Sequence, residues 1–184
     1  MLREIVRLAP SGRHLAWEPL PAFAARLRLE FPGVEVREAA LADEDGAREL
    51  THVIDEPGWS GLAARPTPGG GPTETLTVRC ERLDDVLPDG LRPRFMKIDV
   101  EGAEALVLRG ALRALRAYRP LIAFEHGRGS AEYLGSGPEE VHGLLSGLGY
   151  EISGLDADGP YDAERFAAIF ALGERVNFVA RPRE

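Results

Sequence analysis

Three carboxylates in this sequence each follow a short apolar run. Glu18 comes after His14 to Trp17, Asp99 after Arg94 to Ile98, and Glu125 after Leu121 to Phe124. In an open α/β sheet, ligands bind outside the carboxyl ends of the strands, so these are the positions where chemistry is expected. A carboxylate such as Glu18, ending the second strand of a nucleotide-binding sheet, suits hydrogen bonds from ribose hydroxyls. Asp99 points toward the same crevice and is read as a ligand residue. Glu101 and Glu104 better suit the amino end of the following helix, where free N–H groups and the macrodipole favour an acid. His126, next to Glu125, is the first candidate for a base working near neutral pH, with Glu125 orienting it or the substrate. Lys97, one pleat behind Asp99, is the second, although an internal ion pair is its commoner fate. Asp99, Glu125 and His126 also offer oxygen and nitrogen ligands to a divalent cation. Three separated ligands without a short motif do not favour a metal. His14, His52 and His142 show no comparable arrangement.

These residues need strands and helices to hold them. Leu2, Ile5, Val6 and Ala9 fall at helical spacing and Pro10-Ser11-Gly12 ends the run. A strand is predicted over 14–17, and a helix whose apolar stripe is Leu20, Phe23, Ala24, Leu27 and Phe31. Further strands are predicted over 34–41, 48–54, 74–80, 95–100, 121–124, 150–155 and 175–180. The 95–100 strand is expected to be central, with Phe95, Lys97 and Asp99 on one face and Met96, Ile98 and Val100 on the other. One helix is predicted from the stripe Ala103, Leu106, Val107, Gly110, Ala111, Ala114 and Tyr118. Shorter ones are predicted at 83–87, after Pro138 and near 163–170. Residues 56–73, with four prolines and five glycines, read as a loop or lid, with Trp59-Ser60-Gly61-Leu62 the part most suited to touch a ligand. Strands alternating with helices predict one α/β domain over 1–184: a mostly parallel sheet, helices on both faces and an antiparallel final pair.

A formal charge of −8 argues against a general nucleic-acid binder and for a small or neutral substrate. Cys80 is the single cysteine, which excludes an intrachain disulfide and suits a reducing compartment. No apolar run approaches the roughly 18 residues of a membrane span, so a soluble cytoplasmic protein is expected.

Lys97-Ile98-Asp99-Val100-Glu101-Gly102-Ala103-Glu104, followed by Leu108-Arg109-Gly110-Ala111 and the strand ending in Glu125, resembles the FkbM-type S-adenosylmethionine-dependent methyltransferases. The resemblance extends through Trp17-Glu18-Pro19, Glu38 to Gly46, and Leu83-Asp84-Asp85-Val86-Leu87. It implies a Rossmann-like class I fold that moves a methyl group from S-adenosylmethionine to a hydroxyl of a small molecule or sugar. It also implies that Glu18 holds the donor ribose, that the turn from Ala40 to Asp43 borders adenine, and that Asp99 lies near the methionine end or the acceptor. The family's opening strand and acidic-x-Gly-x-Asn-x-Gly turn have no counterpart here. The fold is therefore expected to be incomplete at its N-terminus, leaving two unpaired strand edges, and the chain is expected to be a shortened enzyme. The rival readings are a non-catalytic binding or assembly module descended from the enzyme, and a nicotinamide-binding Rossmann protein, which also lacks its glycine fingerprint. A second copy of the chain is the protein partner considered.

Overall fold

The computed structural model describes residues 1–64, 66 and 70–183. The predicted 56–73 loop thus has residues 65 and 67–69 outside the described set. The chain divides into two compact units, Met1–Ala40 and Leu41–Glu184.

In the first unit α1 (Leu2–Leu8) precedes β1 (His14–Trp17), α2 (Pro21–Glu30) and β2 (Val34–Arg37). Pro21 opens α2, where its missing N–H costs nothing and its fixed φ already suits a helix. Leu20 and Ala24 are buried. β1 and β2 pair in parallel, His14 opposite Val34 and Trp17 opposite Arg37. The Glu18 N–H carries the ladder one step further by donating to the Arg37 carbonyl.

The second unit holds two sheets. β3 (Ala40–Leu41) starts at the boundary and belongs to a three-stranded sheet ordered β3-β5-β4. In it β4 (Gly46–Val53) and β5 (Thr73–Glu81) run antiparallel, from Gly46 opposite Cys80 to Val53 opposite Thr73. Next come α3 (Leu83–Val86), β6 (Phe95–Ile98), α4 (Glu104–Gly110), α5 (Leu112–Tyr118), β7 (Leu121–Glu125), α6 (Pro138–Gly147), β8 (Tyr150–Gly154), α7 (Ala163–Leu172) and β9 (Asn177–Pro182). The larger sheet has the order β6-β7-β9-β8. Phe178, Val179 and Ala180 of β9 are all buried, as an inner strand requires. Phe178 stacks on Phe124 at 5.5 Å and meets Phe166 edge-on at 4.9 Å, tying α7 to the sheet.

Three expectations are revised. Among the described residues β1–β2 and β6–β7 pair in parallel, whereas β4–β5, β7–β9 and β8–β9 are antiparallel, so the fold is mixed α/β. The expected antiparallel final pair is present as β9–β8 at one end of its sheet; the reversals not expected are β9 running antiparallel to β7 and the long β4–β5 hairpin, and neither leaves a periodicity signal. Secondly, β6 lies at the edge of its sheet rather than at the centre, and β1 pairs with β2 alone among the described strands. Thirdly, the single helix predicted from Ala103 to Tyr118 is two. The break follows Gly110, and a new helix start is capped from outside. The Asp84 carboxylate accepts the N–H groups of Arg113 and Ala114, both at 2.8 Å. These are first-turn donors that would otherwise lack partners.

Candidate active site

The β6 strand ends in a turn that ordinary side chains resist. Glu101 and Gly102 have consecutive positive φ values, 50° and 97°. Only glycine fits at 102, because a Cβ there would lie 2.5 Å from the Ser130 carbonyl carbon and 2.7 Å from the Ala131 nitrogen. Gly61 covers the other side, its own Cβ position 3.2 Å from the Glu101 Cβ and carbonyl oxygen. Of the Trp59 to Leu62 segment, expected to touch a ligand, Gly61 sits against this turn. Trp59 is 39% exposed.

The parallel β6–β7 register sets Ile98 opposite Phe124, which brings the ends of the two strands together. Oxygens of Asp99, Glu101 and Glu125 lie within 4.8 Å of one another, close enough to share one divalent cation or several hydroxyl donors. Lys97 stands behind them. Its Nζ is 3.3 Å from Asp99 Oδ2 and donates to the Ile98 carbonyl at 3.1 Å. Burial raises the Glu125 pKa above its ordinary 4.5, and the negative charges of Asp99 and Glu104 push the same way; Lys97 opposes them. Glu125 thus holds a proton more tightly than a solvated glutamate.

His126 follows Glu125 but turns inward. It is 1% exposed, lies 4.9 Å from the Phe170 ring and 5.9 Å from Phe166, and its Nδ1 is 2.9 Å from Glu104 Oε2. Its Nε2 is buried without a polar partner. The imidazole is thus packed among Phe166, Phe170 and Glu104. The set that converges is Asp99, Glu101 and Glu125, not the Asp99, Glu125 and His126 set weighed from the sequence.

The remaining sequence candidates have their own surroundings. Glu18, in the first unit, has its pKa raised by burial, which outweighs the Leu20 N–H donating to Oε1 at 2.9 Å and the charge of Arg26. Ala40 is buried. Asp43 is held by arginines: Oδ1 accepts from Arg48 at 2.9 Å, and Oδ2 from Nε and Nη2 of Arg109 at 3.0 and 2.8 Å. Burial alone would raise its pKa. The Arg109 hydrogen bonds and both guanidinium charges more than reverse that and hold it below the usual 3.8. Arg109 also pairs with Glu140. Gly110, next in the chain, brings α4 so close to Ala42 that a Cβ would overlap the Ala42 carbonyl oxygen. The Arg-Gly-Ala run therefore fastens α4 to the 42–43 turn.

Two acids in or next to this cluster carry no distinguishing signal of a ligand role in the sequence. Glu101 and Glu104 both read as helix-start acids, since nothing local distinguishes a capping carboxylate from a ligand. The available signal was Glu104 itself, an acid heading the apolar run Ala105-Leu106-Val107-Leu108, where burial demands a partner.

The family model of the Methyltransferase FkbM domain matches residues 2–152. The chain belongs to the FkbM methyltransferase family. It is similar to Methyltransferase 1 of Beauveria bassiana (strain ARSEF 2860), 33% identical over 126 residues, a match covering 56% of this chain and 51% of that protein. The fold is similar to the crystal structure of Methyltransferase FkbM from Methylobacillus flagellatus KT, with a TM-score of 0.53 at 16% identity, covering 98% of this chain and 40% of that one. This FkbM chain thus spans about half the length of the first relative and less of the second. Among its described residues no helix is long and apolar enough to cross a membrane.

Proposed function

We propose that this FkbM-family chain serves S-adenosylmethionine-dependent methyl transfer to a hydroxyl oxygen of a small molecule or sugar, in a Rossmann-like arrangement. The observation that supports it is the convergence of Asp99, Glu101 and Glu125 at the carboxyl ends of two parallel strands, beside Lys97. Neighbouring carboxylates accept hydrogen bonds from acceptor hydroxyls and orient them. Glu125, whose proton affinity is raised by burial and by Asp99, is the base that takes the hydroxyl proton in this reading. Lys97 steadies Asp99 through its ion pair. When bound, S-adenosylmethionine supplies an activated methyl group on a sulfonium. For that donor the chain offers Glu18, a part-buried carboxylate with one oxygen fixed by the Leu20 N–H, which suits ribose hydroxyls. With both Asp43 oxygens occupied by arginines, a contribution of the 40–43 turn to adenine would come from backbone and Ala40 rather than from that carboxylate.

Calorimetric titration of the chain with S-adenosylhomocysteine tests the donor half of this reading, and transfer of labelled methyl to a panel of hydroxylated compounds tests the other. Saturable binding with transfer to oxygen is expected. Binding without transfer to any hydroxyl would replace the reading with that of a non-catalytic module. No binding at all would remove the donor.

A further inference from the structure

We infer that Glu104 is a positioning residue of the strand-end carboxylate site, acting through its buried bridge between Gly102 and His126; the inference rests on the functional reading above. Glu104 is 2% exposed yet carries a carboxylate, which demands partners for both oxygens. Oε1 accepts the Gly102 N–H at 3.0 Å and Oε2 faces His126 Nδ1 at 2.9 Å. Gly102 belongs to the turn that carries Asp99 and Glu101. His126 follows Glu125 directly and is fixed by its N–H donating to the Val176 carbonyl and by the rings of Phe166 and Phe170. One side chain therefore sets the distance between the turn bearing two of the site's carboxylates and the strand bearing the third. The turn needs such a tie, because Glu101 holds a left-handed φ of 50° that an ordinary residue adopts only under constraint.

The bridge also fixes the histidine. A proton on Nδ1 satisfies the carboxylate and leaves only a lone pair at the unpartnered Nε2, which costs less among aromatic rings than a buried N–H without an acceptor. Glu104→Gln keeps the length and one acceptor. Its amide oxygen can take the Gly102 N–H while its NH₂ donates to Nδ1, moving the ring proton to Nε2. Glu104→Ala offers neither contact.

The test compares the intact chain with both variants by backbone amide exchange and by ¹⁵N resonances of His126. In the wild type the ring proton is on Nδ1; in Glu104→Gln it is on Nε2. In Glu104→Ala the Gly102 amide exchanges about tenfold faster or more relative to the Ile152 and Phe178 amides, the change expected for losing a hydrogen bond to a charged acceptor. Glu104→Gln keeps most of that protection. With an acceptor in hand, the turnover number falls about tenfold or more in the alanine variant and is largely restored by glutamine, while affinity for S-adenosylhomocysteine stays unchanged. Gly102 exchange that does not change in Glu104→Ala, or that rises only in step with the whole core, overturns the inference. So does an Nε2-protonated wild-type ring. A wild-type chain that transfers no methyl group defeats the functional reading instead, and the exchange and tautomer results still decide the role of Glu104.

Discussion

Gly110→Ala gives the sharpest test, because helix propensity and tertiary packing call for opposite signs. Alanine is favoured over glycine within a helix by about 0.8–1.0 kcal/mol, and Gly110 closes α4 with no positive φ to excuse it. Yet a Cβ at 110 would overlap the Ala42 carbonyl oxygen and lie 3.0 Å from its carbon, and both are backbone atoms that no rotamer change can move. Overpacking of this kind costs about 1–3 kcal/mol. Pushing α4 away would also stretch the Arg109–Asp43 pair, whose bonds to a charged acceptor are worth about 1.5–3 kcal/mol each at most. Net destabilisation of about 1–3 kcal/mol is therefore expected, a fall in Tm of about 3–10 °C for a chain of this size. Gly143→Ala is the control. Gly143 lies inside α6, exposed, with nothing within 4 Å of its Cβ position, and alanine there is expected to stabilise by about 0.4–1 kcal/mol. Thermal and urea unfolding of the three proteins would measure both signs. If Gly110→Ala raised Tm as Gly143→Ala does, the close approach of α4 to the 42–43 turn would be wrong.

Asp43→Asn removes a carboxylate whose pKa is lowered in the fold, so the stability it contributes is present above the ordinary 3.8 and lost as pH falls through the lowered value. Urea unfolding from pH 7 down to pH 2 should show the wild type losing its advantage over Asp43→Asn across that acid window, and parallel curves would refute the ion pair. Glu125 works in the opposite direction. Its pKa is raised, so the corresponding stability is fully present below the ordinary 4.5 and lost as pH rises through the raised value. Glu125→Gln should remove the decline in stability between the ordinary 4.5 and the raised value, while methyl transfer falls by about 10²–10⁴-fold if Glu125 is the base; unchanged turnover would dismiss it. Glu18→Gln keeps an oxygen for the Leu20 N–H but loses the charge, and should weaken S-adenosylhomocysteine binding severalfold in calorimetry without moving Tm by more than a few degrees. Equal affinity would remove Glu18 from the ribose role.

Local patterns in the sequence determined most of the elements and the strand ends where carboxylates gather. Apolar spacing located α1 and α2 and Pro138 the start of α6, and period-two alternation put Lys97 and Asp99 on one side of the chain, where they form an ion pair. The parallel neighbour of β6 was legible too, because Glu125 ends the next run of buried-strand composition. Only the tertiary structure decided which acids face each other. Glu101, Glu104 and Asp99 lie within six residues and look alike as sequence. A left-handed turn made possible by Gly102 sends Glu101 to join Asp99 and Glu125, while Glu104 passes beneath to His126. The inward turn of His126 likewise depends on Phe166 and Phe170, some forty residues away, and the break after Gly110 on Ala42 and Asp84 from other elements. Propensity and periodicity record what a residue does to its own segment. Where a carboxylate finds its second partner is set by backbone that arrives from elsewhere in the chain.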